Sequence, residues 1–203
     1  LESGKVGEAA RVLRHHIESV VDDGDVSASS PPRMAPRLAA LWRRVQAEDA
    51  GLPDITTLPL DAARRQFDDI NARWNQLERG RHRIEAFTIP APPRPQRAAG
   101  EGIAALRIEA LTTAKGRQRK GGTIVFLHGG GWVFGNLQTH RGAMARLAEL
   151  TGCAVVGIDY ALAPEAPFPS GLNDCVWAWR WLRSHAAASV EDSTPWFIAG
   201  DSA

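Results

Sequence analysis

Apolar positions recur at helical spacing through the first 80 residues. Val6, Ala10, Leu13, Ile17 and Val20 form one stripe, and Leu38, Leu41, Trp42 and Val45 form another. A third stripe, Leu60, Ala63, Phe67, Ile70, Trp74 and Leu77, predicts one long amphipathic helix. Pro59 stands near its start, where a missing N–H costs nothing. Residues 22–36, rich in Ser, Asp and Pro, read as a loop between the first two helices.

Near residue 81 the period shortens to two. Residues 83–89 and 106–111 alternate as strands do. Between them, residues 90–102 hold four prolines and two glycines and read as a surface loop. A basic, glycine-flanked turn over residues 115–122 follows, so the two strands are expected to pair as an antiparallel edge. The pattern then becomes nearly continuous apolar runs over 123–127, 154–158 and 196–199, as in strands covered on both faces. Helices are predicted between them, over 143–150 and 171–188. This alternation predicts an α/β protein: a mostly parallel sheet with helices on both faces. Residues 1–80 would be a helical cap and residues 81–203 part of the sheet domain. Trp177, Trp179 and Trp181 alternate, yet Leu172, Cys175, Trp179 and Leu182 share one helical face, so core packing is expected of the tryptophans.

Composition narrows the picture only slightly. With 203 residues, 44% hydrophobic and 23% charged, the chain has the makeup of one globular domain with or without an appendage. A net charge of +1 gives no reason to expect nucleic acid or an anionic membrane as partner. Cys153 and Cys175 read as small apolar thiols in a reducing compartment. No apolar run reaches membrane-spanning length, and the start shows no signal-peptide pattern. A cytoplasmic location is the resulting expectation, although the chain does not open on Met and a leader could already be gone.

Two short motifs carry the chemistry. After the strand ending at Leu127 come His128, Gly129, Gly130, Gly131 and Trp132. Consecutive glycines let the backbone turn sharply, so that N–H groups can face the oxyanion of an acyl-transfer intermediate. Alone, they could equally form a plain tight turn. After the strand at 196–199 come Gly200, Asp201, Ser202 and Ala203, a G-x-S-x run without its closing glycine. Such a serine fits a strained strand-to-helix turn that exposes a nucleophilic Oγ, or it simply caps a helix. Both motifs sit at the C-terminal ends of predicted parallel strands, where open α/β sheets place their sites. Together they point to an enzyme.

From His128 onward the chain resembles the bacterial hormone-sensitive-lipase-like carboxylesterases, which have the α/β-hydrolase fold. The matching residues are His128-Gly129-Gly130-Gly131-Trp132-Val133-Phe134-Gly135, Thr139-His140, Asp159-Tyr160-Ala161-Leu162-Ala163-Pro164-Glu165, Phe168-Pro169, Asp174 and Gly200-Asp201-Ser202-Ala203. The N-terminal helices match only in kind, as part of a mobile cap. The resemblance implies that Ser202 is the nucleophile and that the N–H groups of Gly130, Gly131 and Ala203 form the oxyanion hole. It implies that His128 and Gly129 support the loop, that Trp132 lies near the acyl pocket, and that residues 159–165 brace the sheet. It also places the general-base histidine and its acidic partner well after the serine. His15, His16, His82, His140 and His185 lie elsewhere, and none is expected to be that base.

The implied reaction is hydrolysis of small to medium acyl esters through an acyl-enzyme on Ser202. No metal or organic cofactor is implied, and the expected partner is a small-molecule ester. An amidase or deacetylase of the same fold would carry the same nucleophile and oxyanion hole. A non-catalytic ligand-binding member of the fold is the other alternative. Three strands and an edge pair bury too little to finish such a sheet. The remaining half of the hydrolase domain, with the acid–base pair, is therefore expected on another chain or in a missing segment, with a homo-oligomer possible.

Overall fold

The computed structural model describes residues 35–78, 80–93, 97–98, 100–111, 121–186 and 194–202. The helix predicted around residues 6–20 and most of the turn at 115–122 lie outside these residues. The chain divides into two compact units, one ending at Gln66 and the other beginning at Phe67.

In the first unit, α1 (Pro36–Asp49) opens with Pro36, whose fixed φ suits a first helical turn. Leu38 and Trp42 of its predicted apolar stripe are exposed. A short 3₁₀ turn (Ile55–Thr57) follows, capped by Asp54, whose Oδ1 accepts from the Thr56 amide at 2.9 Å. Helix α2 (Leu60–Ala72) carries the boundary between the units. It stops before Trp74 and Leu77, although their spacing continues the stripe. The reason is local: the amides of Trp74 and Asn75 turn back onto the carbonyls of Asn71 and Ala72, at 3.1 Å each. Asn75 then spends its side chain elsewhere, accepting from the Gly142 amide at 2.7 Å and donating to the Thr139 carbonyl at 3.1 Å.

The second unit is built on five strands: β1 (His82–Ile89), β2 (Ile103–Ala110), β3 (Thr123–Leu127), β4 (Ala154–Ile158) and β5 (Trp196–Gly200). Helices α3 (Arg141–Thr151) and α4 (Ser170–Ala186) fall on either side of β4 in the chain. The spatial order is β1-β2-β4-β3-β5. Pairs β1–β2 and β2–β4 are antiparallel, while β3 is parallel to both β4 and β5. The described sheet is therefore mixed, with its parallel half holding the three apolar strands. Strand β2 begins at Ile103, earlier than its alternation suggests, because Ile103 and Ala105 are buried and pair with Ile89 and Phe87.

Side chains alternate across the sheet. Ile124, Phe126 and Val155 meet Met144, Ala145 and Ala148 of α3 on one face. Val125, Val156 and Ile158 meet Ala178 and Leu182 of α4 on the other. Burial on both faces explains the near-continuous apolar runs of β3 and β4, each fully buried Val or Ile contributing roughly 1.5–3 kcal/mol. Strand β5 departs from that expectation: it ends the strand order and leaves Phe197 and Ile198 exposed. Cys153 belongs to the first face and Cys175 to the second, so the sheet separates the two free thiols.

Two further expectations need correction. Residues 90–102 are not merely a surface loop: Arg97 is buried there, paired to Asp174 of α4 at 2.6 Å. On α4, Leu182 is buried and Cys175 and Trp179 pack against the same cluster, as that helical face predicts, with Asp174 and Ala178 buried beside them, but Leu172 is exposed. Trp179 and Trp181 pack against the core as expected, but Trp177 is half exposed and donates its indole N–H to the Pro90 carbonyl at 2.7 Å. Among the described residues no helix is long and apolar enough to cross a membrane.

Candidate active site

Register brings the site together. Leu127 at the end of β3 is level with Ile158 of β4 and Gly200 of β5. The next residues along each strand, His128, Asp159 and Asp201, therefore emerge side by side at the C-terminal edge. The glycine loop after β3 and the serine turn after β5 become direct neighbours. A Cβ on Gly129 would lie 3.0 Å from Asp201 Oδ1 and 3.2 Å from Ser202 Cβ. Only a residue without a side chain lets the loop approach that closely.

The loop is held from within. Gly130 has φ +128° and its carbonyl accepts from the Val133 and Phe134 amides at 3.2 and 2.9 Å. Among the described residues no acceptor takes the amides of Gly130 or Gly131. Trp132 adopts φ +57°, a left-handed conformation uncommon for a bulky residue, and 60% of it is exposed at the loop tip. The Ala163 amide pins the Trp132 carbonyl at 2.9 Å. Strain of this kind persists only where the surroundings over-determine it.

His128 is fully buried, and its Nδ1 stands 3.0 Å from the Gly129 carbonyl. A carbonyl only accepts, so Nδ1 carries the proton and Nε2 is bare. That Nε2 is 4.0 Å from Asp159 Oδ1 and makes no hydrogen bond. Burial drives the His128 pKa below its ordinary value, and the Asp159 carboxyl is pushed up for the same reason. A neutral, buried His128 thus props the loop. Tyr160 completes the support: its ring stacks on His128 at 4.3 Å and its hydroxyl donates to the His128 carbonyl.

His140 enters from the other side. Its ring lies 5.5 Å from that of His128, and its Nε2 is 3.0 Å from Asp201 Oδ2. Its Nδ1 meets Thr139 Oγ1 at 2.9 Å, and Thr139 is fixed in turn by the amide of Asn136 at 2.9 Å. A cavity of about 750 Å³ opens on the flank of the site, lined by Thr88, Leu137, Thr139, Arg141 and Asp159.

The structure brings His128, Gly129 and Ser202 together and sets Gly130, Gly131 and Trp132 on the loop beside them. Ala203 lies outside the described residues. Tyr160 lies in the segment 159–165 that the resemblance gave as bracing the sheet, whereas His140 and Arg97 were not expected as parts of this architecture. The Thr-His and Asp-Tyr pairs were visible as motif residues, but nothing local says what they touch. Arg97 gave no signal at all.

An open α/β sheet with a glycine loop and a serine turn at adjacent strand ends defines an α/β-hydrolase. A family model for the α/β-hydrolase fold matches residues 124–203. The acetyl esterase of Salmonella paratyphi B is 42% identical over 81 residues, covering 40% of this chain and 25% of that protein. An esterase from the archaeon Pyrobaculum calidifontis superposes with a TM-score of 0.64 at 28% identity, covering 83% of this chain and 49% of that one. An esterase of the bacterial hormone-sensitive lipase family superposes with a TM-score of 0.61 at 28% identity, covering 83% and 48%. From residue 124 to residue 203 the chain has the α/β-hydrolase fold and is similar to esterases of the bacterial hormone-sensitive lipase family. Its match spans about a quarter of the length of the curated relatives and about half that of the solved structures.

Proposed function

We propose that the protein is a serine carboxylesterase acting on small to medium acyl esters. The observation that carries this reading is the contact of Gly129 with the Asp201-Ser202 turn across register-matched strands. In the proposed reaction Ser202 Oγ attacks the ester carbonyl as a histidine takes its proton, the alcohol leaves, and water releases the acid. The N–H groups of Gly130, Gly131 and Ala203 receive the oxyanion, a role worth roughly 10²–10³ in rate per donor. Trp132, exposed at the loop tip, is the pocket residue proposed to meet the acyl group. The acetyl esterase relatives support a short acyl chain. A fluorophosphonate probe followed by peptide mass spectrometry tests the reading: a Ser202 adduct, absent in Ser202→Ala, is expected, and an unmodified wild-type Ser202 would remove it.

The general base and its acidic partner are proposed to come from the remaining half of the hydrolase domain, on another chain or a further segment. Support comes from β5, which ends the strand order and exposes Phe197 and Ile198. An exposed apolar edge strand is a template for further pairing. Intact mass of the native polypeptide checks this. A 203-residue protein that folds cooperatively and hydrolyses esters by itself would overturn it.

A further inference from the structure

We infer that His140 is a positioning residue that ties the nucleophile turn to the oxyanion loop through Asp201. The inference rests on the esterase reading and goes beyond it, because His140 is neither the general base nor an oxyanion donor in that reading.

The geometry is specific. Asp201 precedes Ser202 directly, so its side-chain anchor sets the direction of the turn that carries the nucleophile. Its Oδ2 is 3.0 Å from His140 Nε2, while a Cβ added to Gly129 would lie 3.0 Å from its Oδ1. One carboxylate therefore stands between the loop and the residue before α3. An ionised carboxylate only accepts, so Nε2 must carry a proton. The ring's Nδ1 stands 2.9 Å from the Thr139 hydroxyl, which in turn donates to the Asn136 carbonyl at 2.9 Å. Thr139 is itself locked, since Asn136 Oδ1 accepts from its amide at 3.0 Å. The ring is buried, with Phe126 at 6.1 Å and His128 at 5.5 Å between centroids. A chain of contacts thus runs Asn136, Thr139, His140, Asp201, Ser202, and a stack runs His140, His128, Tyr160 beneath the loop. Displacing Ser202 by a fraction of an ångström relative to the Gly130 and Gly131 amides costs transition-state contact while leaving ground-state binding intact.

The test uses the complete protein, with hydrolysis of p-nitrophenyl acetate, fluorophosphonate labelling of Ser202, and ¹⁵N NMR of the imidazole. His140→Ala is expected to lower kcat roughly 10- to 100-fold with KM little changed. His140→Gln, which keeps a donor near the Nε2 position, is expected to recover part of that loss. Asp201→Asn combined with His140→Ala is expected to be no worse than the more severe single variant, since both remove one contact. The wild-type spectrum should show His140 protonated at Nε2, with the signal lost or shifted in Asp201→Asn. An His140→Ala variant that labels and turns over at the wild-type rate overturns the inference alone. A spectrum with Nε2 unprotonated also overturns it. A wild-type Ser202 that never labels overturns the esterase reading, and this inference with it.

Discussion

A methyl group added at Gly129 would enter the space between the loop and the Asp201-Ser202 turn, and one of the two would have to yield by a few tenths of an ångström. Gly129→Ala is therefore expected to slow fluorophosphonate labelling of Ser202 roughly tenfold or more while the protein stays folded. Gly135→Ala is a different case. Its φ is +84°, and a Cβ there would fall on the Gly129 carbonyl oxygen and 2.7 Å from His128 Nδ1. That substitution is expected to cost about 1–3 kcal/mol, measured by chemical denaturation. An unchanged denaturation midpoint would mean that the loop relaxes freely. The same scale exposes the limit of reading residues from sequence. The three glycines announced a tight loop, yet which of them faces Ser202 depends on the register of β3 against β5.

Elements are joined here by polar clips as well as by apolar faces. The segment between β1 and β2 is fastened to α4 by Arg97, whose guanidinium meets Asp174 at 2.6 Å, both side chains being buried. Asp174 also accepts from the Ala161 amide at 3.1 Å, linking the segment after β4 to the same carboxylate. Removing one partner of a buried ion pair leaves an uncompensated charge. Arg97→Ala is expected to cost about 3–5 kcal/mol. The Arg97→Ala, Asp174→Ala double variant should cost less than the sum of the two singles, which a double-mutant cycle measures. Strands and helices themselves were legible: apolar period gave β1, β3, β4, β5, α3 and α4 to within a residue or two of their ends. The end of α2 was not, because Asn75 diverts the chain with side-chain bonds that no periodicity encodes.

At the scale of the whole molecule, two site groups, His128 and Asp159, tie stability to pH. His128 has its pKa held below the ordinary 6.5, chiefly by burial. The unfolded chain therefore takes up a proton near pH 6.5 that the folded protein refuses until lower pH. Stability falls as pH drops through that window, by up to about 1.4 kcal/mol per pH unit, and levels off once the folded histidine protonates. Asp159 acts with the opposite sign in a lower window. Its raised carboxyl protonates in the folded protein first, so acidification from its folded pKa down to 3.8 adds stability. Urea denaturation from pH 8 to pH 5 is expected to show the first slope, and His128→Gln to flatten it. A wild-type stability that stays level across this range would mean that His128 titrates alike in both states.

The sequence by itself determined which residues form the apolar strands, that helices alternate with them, and that a glycine loop and a serine turn close two of the strands. Those properties are written in local period and in residues with special backbone freedom. Only the tertiary structure decided that β3 lies between β4 and β5, which makes the two motifs neighbours. It alone also decided that His140 reaches Asp201, that Tyr160 props His128, and that Arg97 is buried against Asp174. These contacts join residues far apart in the chain, and their energy comes from desolvated, directed pairing. No pattern along a single segment records such pairing, because each partner alone looks like an ordinary polar residue.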